Sequence, residues 1–347
     1  MTHSLKLVAI GGGTGLSTLL VGLKSYLSAE RLVMQAGADS NSALRSSTVS
    51  SELPPPLLSS LTAIATVTDD GKSSGRLRKE FDVLPPGDIR NCLVALADEN
   101  NLLTQLFRHR FPGEGALGGH SVGNLILLAL NQMSGNFLAA INYARDLLGI
   151  KARVLPSTLD RVDLVAQVGG KTMRGQTAVK SRGTPIRNLA LDPPGARALP
   201  EAIEAILDAD IITLGPGSLF TSVIPNLLVE GIAQAIKDSS AKKMYICNAM
   251  TEVDETDGYS AEDHIRQLLR FLGKETLHYA LFNSAPISTE MRLRYAAEKA
   301  VALDPPTATF LEAPSIKFIS QPLASEARFV RHDPERLSRA IFEAYNC

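Results

Sequence analysis

The chain has 347 residues, 45% of them hydrophobic, and its 35 Lys and Arg nearly balance 36 Asp and Glu for a formal net charge of −1. This length and apolar content can bury a sizeable core and exclude a disordered chain, and the near-neutral charge, with a pI of about 6.6, lacks the basic field of a nucleic-acid binder. The three cysteines, Cys92, Cys247 and Cys347, are without metal spacing and suit a reducing compartment.

In chain order, the apolar run Leu5 to Ile10 leads into Gly11-Gly12-Gly13-Thr14-Gly15 and then Leu16-Ser17-Thr18-Leu19-Leu20. That order reads strand, glycine turn, helix. Such a turn brings backbone close to a ligand, and the helix start offers unpaired N–H groups to an anion. The loop fits neither the dinucleotide fingerprint, since Leu16 stands where a small residue belongs, nor the P-loop, which needs a closing Gly-Lys-Ser/Thr. A phosphate-bearing ligand is the expectation. Residues 35–60, rich in Ser and Ala and containing Pro54-Pro55-Pro56, lack apolar periodicity and read as a flexible loop.

Strands are predicted at Lys6 to Ile10, Leu61 to Thr66, Ile211 to Leu214, Lys243 to Cys247 and His278 to Phe282. Helices fall near 15–28, 88–98, 121–132, 137–148, 200–208, 221–238, 261–272 and 335–345. The alternation predicts a three-layer α/β/α domain, Rossmann-like, with a mostly parallel sheet. Within 151–197, short strands at Val154-Leu155, Val162 to Val168 and Gln176 to Val179 read as a small β-rich insertion of one domain spanning 1–347.

Five further places carry chemistry. The run Thr66-Val67-Thr68-Asp69-Asp70-Gly71-Lys72-Ser73-Ser74-Gly75-Arg76 begins where a strand ends, the usual ligand position in open α/β sheets. There Asp69 and Asp70 suit Mg²⁺, and Lys72, Ser73, Ser74 and Arg76 suit phosphate oxygens. Asp88, in Pro85-Pro86-Gly87-Asp88, is positioned to N-cap the next helix. Gly119-His120-Ser121-Val122-Gly123 matches the hydrolase nucleophile elbow, but a loop and not a strand precedes it. It reads instead as a second glycine-rich helix start, with Ser121 and Asn124 toward the ligand. Gly215-Pro216-Gly217-Ser218 repeats the strand, turn, helix order, and Asn248 and Thr251 follow a strand end.

Together the motifs GGGTGLSTLL, TVTDDGKSSGRLR, LPPGDIRNCLVALAD, GGHSVGNLILLAL, LGPGSLFTSVIPNLLV and CNAMTEVDETDGYSAEDH resemble the YvcK-like gluconeogenesis factor family of the CofD-like superfamily, over nearly the whole chain. The resemblance implies a nucleotide-diphosphate ligand of the UDP-N-acetylglucosamine type, a link to gluconeogenic growth and cell shape, and a homodimer. It also implies uracil or sugar contact at Tyr295 and phosphate pairing at Arg331. The superfamily's other branch, the 2-phospho-L-lactate transferases, implies Mg²⁺ on Asp69, Asp70 and Asp88. Two departures stand out: Lys72 replaces a usual glycine, and Gln176 a common Glu. The first apolar run is too short for a signal peptide and Leu125 to Leu130 too short for a membrane span. A cytoplasmic protein without membrane or nucleic-acid partners is expected.

Overall fold

The structure is a computed structural model that describes residues 4–27, 57–180, 185–306 and 314–346. Its strands in chain order are β1 (Leu5–Gly11), β2 (Leu58–Ala65), β3 (Arg153–Pro156), β4 (Asp163–Val168), β5 (Lys171–Arg174), β6 (Ile186–Asp192), β7 (Ile211–Leu214), β8 (Lys242–Ile246), β9 (Tyr279–Asn283), β10 (Lys317–Gln321), β11 (Ala324–Glu326) and β12 (Val330–His332). Seven of them form one sheet in the order β10-β9-β8-β7-β1-β2-β3, and every pairing in it is parallel. The fold is Rossmann-like α/β, as the alternation predicts.

Parallel strands covered by helices on both faces are buried on both sides, so they read as continuous apolar runs. β1 and β7 do: Leu7 to Ile10 and Ile211 to Leu214 are all buried. From β1 the chain steps outward through β2 and β3, then returns to β7 on the other side of β1 and steps outward to β10. The reversal between β1 and β7 opens a crevice at the carboxyl ends of these strands, where open α/β sheets hold ligands. Both turns that leave this point, after Gly11 and after Leu214, are glycine turns. They touch: a Cβ on Gly15 would meet the Pro216 carbonyl and lie 2.7 Å from Gly217 Cα.

Several expectations change in detail. Val154 and Leu155 belong to the edge strand β3 of the main sheet, and the insertion is the antiparallel sheet β5-β4-β6. Gln176–Val179 is a short helix. β2 starts at Leu58, so residues 58–60 of the expected 35–60 loop are strand, while 35–56 lie outside the described residues. The expected helix 221–238 is broken into Leu219–Val223, Ile224–Leu227 and Ile232–Asp238, with Gly231 at φ 98° in the gap. The helices Lys72–Phe81, Leu102–Arg108 and Thr289–Ala297 were not anticipated; the first carries only four buried residues, too few for a clear apolar stripe. Among the described residues, no helix is long and apolar enough to cross a membrane.

Candidate functional site

The crevice at the β1/β7 reversal is a cleft of about 250 Å³ lined by Gly12, Gly13, Thr14, Gly15, Gly217, Ser218, Asn248, Thr251, Tyr295 and Arg331, all expected from sequence. The helix Gly13–Leu23 opens into it. Its N-cap is Gly12, in extended backbone without a capping side chain, and no acidic residue occupies its first turn. Gly13 donates its amide to the Asp88 carboxylate, whereas the first-turn amides of Thr14 and Gly15 have no helical acceptor. Gly11 and Gly215 stand behind the lining and shape the turns.

The second glycine turn is filled from within. Glu255, fully buried, accepts Phe220 N–H at 2.8 Å, Thr221 N–H at 3.1 Å and the Thr221 hydroxyl at 3.0 Å. Burial and the charge of Glu252 raise its pKa to about 7. Asn248 accepts Gly217 N–H and donates to Gly217 O, both at 3.1 Å. Gly217 and Ser218 therefore serve as cleft wall, and the helix start beyond them presents no free amide pair to a phosphate. Thr251 is engaged as well: its Oγ1 accepts Val301 N–H at 2.9 Å.

Opposite the glycine loop stand the helix Thr289–Ala297 and the hairpin β11–β12. Tyr295 lines the cleft while its hydroxyl accepts Val330 N–H at 3.0 Å, so the ring is held in place by the hairpin backbone. Phe329, Glu252 and His332 also line the cleft and were not among the expected site residues. Burial drives the His332 pKa down to about 4, so it is neutral near pH 7, and its Nε2 has no partner among the described residues. Residues 249–250 and this hairpin come together only through tertiary contact, which local pattern does not encode.

The remaining expected residues gather on the far side of β1, beyond β2. Asp88 does not N-cap its helix: the N-cap is Pro86, and Asp88 lies in the first turn of Gly87–Leu96. Its carboxylate reaches the glycine loop, where a Cβ on Gly12 would lie 2.8 Å from Oδ2. Burial, and then the charge of Asp69, raises its pKa to about 7. Asp70 turns away: its Oδ1 accepts Thr177 N–H at 2.9 Å and the Thr177 hydroxyl at 2.7 Å, tying the acidic turn to the insertion. The expected trio of metal carboxylates is thus a facing pair, Asp69 and Asp88, and among the described residues no three His, Cys, Asp or Glu side chains are grouped to hold a metal.

Next to this pair, Ser73 Oγ accepts Asn124 Nδ2–H at 3.0 Å and lies 2.9 Å from His120 Nδ1. Burial, and then the charge of Arg76, lowers the His120 pKa. Arg76 donates to Gly118 O, and Ser121 accepts Asn124 N–H as helix N-cap. Ser74 is buried near Asp69: a Cβ on Gly87 would meet both side chains. Lys72 is exposed at φ 41°, a left-handed conformation that favours glycine.

A parallel sheet with glycine turns and a polar cleft at its reversal point defines a Rossmann-like α/β protein with a candidate ligand cleft. The family model for 2-phospho-L-lactate transferase CofD matches residues 7–324. The chain is 41% identical to the gluconeogenesis factor of Halalkalibacterium halodurans over 97% of its own length and 95% of that protein. It is 36% identical to the gluconeogenesis factor of Listeria innocua over 97% and 94%. A solved structure of a UPF0052 family protein from Bacillus halodurans superposes with a TM-score of 0.84 at 39% identity, covering 98% of this chain and 99% of that one. The chain belongs to the gluconeogenesis factor family of the CofD-like superfamily.

Proposed function

We propose that the protein is a cytoplasmic, regulatory binder of a nucleotide-diphosphate sugar of the UDP-N-acetylglucosamine type. In this reading the diphosphate lies on the amides of the Gly13–Leu23 helix and on Arg331, and Tyr295 packs against the nucleoside or sugar. The observation that carries it is the difference between the two helix starts at the cleft. One gives only its Gly13 amide to Asp88 and leaves those of Thr14 and Gly15 at the cavity, and the other is already occupied by Glu255. The relatives' name, together with the resemblance described above, supports a role in the control of gluconeogenic carbon metabolism and cell shape.

A second reading, transfer of a phospho-group, is favoured by the Asp69–Asp88 pair. Two neighbouring carboxylates, Asp88 pushed toward neutrality by burial and then by the charge of Asp69, fit a divalent cation, which commonly takes one or two carboxylates plus substrate phosphates. Mg²⁺ held there would supply charge neutralisation at a diphosphate leaving group. Asp70 is committed to Thr177 and is outside that set.

Calorimetric titration with UDP-N-acetylglucosamine, GDP and NAD, each with Mg²⁺ and with EDTA, separates the two. Binding of the UDP-sugar is expected to survive EDTA and to weaken about tenfold in Arg331→Ala. Binding of GDP alone, and only with Mg²⁺, would overturn the regulatory reading in favour of the transferase.

A further inference from the structure

At the mouth of the cleft three arginines converge on one aromatic ring. The guanidinium carbons of Arg294, Arg328 and Arg331 lie 5.4, 5.5 and 5.4 Å from the centroid of Phe329. The ring is 41% exposed, and both it and Arg331 line the cleft. Arg294 is fixed further by its Nη1 donating to Arg328 O at 2.7 Å, which fastens the helix Thr289–Ala297 to the hairpin turn. No ion pair to a carboxylate involves any of the three among the described residues. The carboxylate on the hairpin itself, Glu326, is spent on Ser288 N–H at 2.6 Å.

Three like charges held around one ring repel one another, and stacking on an aromatic face compensates only part of that repulsion at an exposed site. Stacking also orders the guanidinium planes in advance, so they bind a planar or tetrahedral anion with less entropy to lose than free side chains would. One of the three, Arg331, together with the glycine-loop amides, suffices for a diphosphate. Arg294 and Arg328 are surplus to that task, yet both stack on the ring of Phe329, which itself lines the cleft.

We infer that this arginine cluster is an anion-recognition site at the cleft mouth, which takes a carboxylate or phosphate group carried by the ligand in addition to its diphosphate. The inference rests on the nucleotide-diphosphate reading above. It extends that ligand class to nucleotide sugars bearing a further negative charge, which the cluster would favour over neutral ones.

The test is calorimetry at low salt and at 0.2 M salt with two matched pairs: UDP-glucose against UDP-glucuronate, which adds a carboxylate on the sugar, and UDP against UTP, which adds a terminal phosphate. At least one acidic member is expected to bind about tenfold more tightly than its match, with a preference that shrinks as salt rises. The pair that shows the preference identifies the source of the anion. Arg294→Gln/Arg328→Gln is expected to abolish the preference while leaving UDP affinity within about twofold. Because Arg294 also braces the hairpin, Arg328→Gln alone, whose guanidinium makes no hydrogen bond among the described residues, must reduce the preference too. Binding of UDP and UDP-glucose with no preference for either acidic partner, or a preference unchanged in the variants, would overturn the arginine cluster alone. Failure of UDP and UDP-glucose to bind at all would overturn the nucleotide reading and the cluster with it.

Discussion

The two glycine turns that meet at the β1/β7 reversal look alike in sequence, each a strand followed by glycines and a helix, and they differ in what occupies the helix start. After β1 the N-terminus of Gly13–Leu23 is open to the cleft. After β7 the amides of Phe220 and Thr221 are bonded to Glu255, a carboxylate of the same chain. A phosphate-type turn can therefore be a ligand site or a piece of internal architecture. The deciding residue lies 35 positions away in sequence.

The largest effect is expected at the filled turn. Glu255→Ala leaves two helix-start amides, a threonine hydroxyl and the nearby Lys180 without their carboxylate. Leaving three buried donors without their acceptor costs about 4 kcal/mol, which urea unfolding monitored by circular dichroism would register. An unchanged midpoint would mean that the second turn does not depend on Glu255, and the contrast between the turns would fail.

Asp88→Asn probes the open turn from behind. The folded pKa of Asp88 is raised to about 7 from the ordinary aspartate value of 3.8. Its ionisation therefore costs stability, a cost absent below the unfolded value and fully incurred once pH passes the folded one. Relative to wild type, Asp88→Asn is expected to gain about 2 kcal/mol at pH 8, less than the full linkage because the amide is a poorer acceptor for Gly13 N–H, and to gain little at pH 4. Thermal melts of both proteins across pH 4 to 8 check the sign.

Arg331→Ala is expected to weaken UDP-sugar binding about tenfold, roughly 1.4 kcal/mol, with the melting temperature unchanged, because the side chain is exposed and stacked on Phe329. The smallest effect concerns the helix Lys72–Phe81, which starts without a side-chain cap. Lys72→Gly relieves a left-handed residue and is expected to stabilise by about 1 kcal/mol, read by denaturant midpoint.

The central strands and both glycine turns were legible because strands buried on both faces are continuous apolar runs and the glycines mark the turns at their ends. The right side of the cleft was legible too, at Gly12 to Gly15, Gly217, Ser218 and Asn248. Pattern failed where long-range geometry decides. Asp88 sits where a cap belongs, yet its partner is Gly13, 75 positions back. Asp69 and Asp70 are neighbours in sequence and part company because the insertion supplies Thr177 to only one of them. The helix Lys72–Phe81 was missed because its polar surface hides the period, and β11 and β12 because they are three residues each.

The outer wall of the cleft has its own small apolar nucleus: Ala249, Met250, Ile287, Met291, Ala324 and Val330 form a cluster separate from the main core. Six modest side chains hold far less cohesion than the interior of a seven-stranded sheet, so this wall constitutes a cooperative unit of lower stability than the rest. Its amides are set to exchange with solvent through openings that leave β1 and β7 intact. An occupant bridging the glycine loop and the hairpin would couple the weak unit to the strong one, and occupancy of the cleft would then be written in the exchange rates of Tyr295 and Val330 and not in any shift of the sheet.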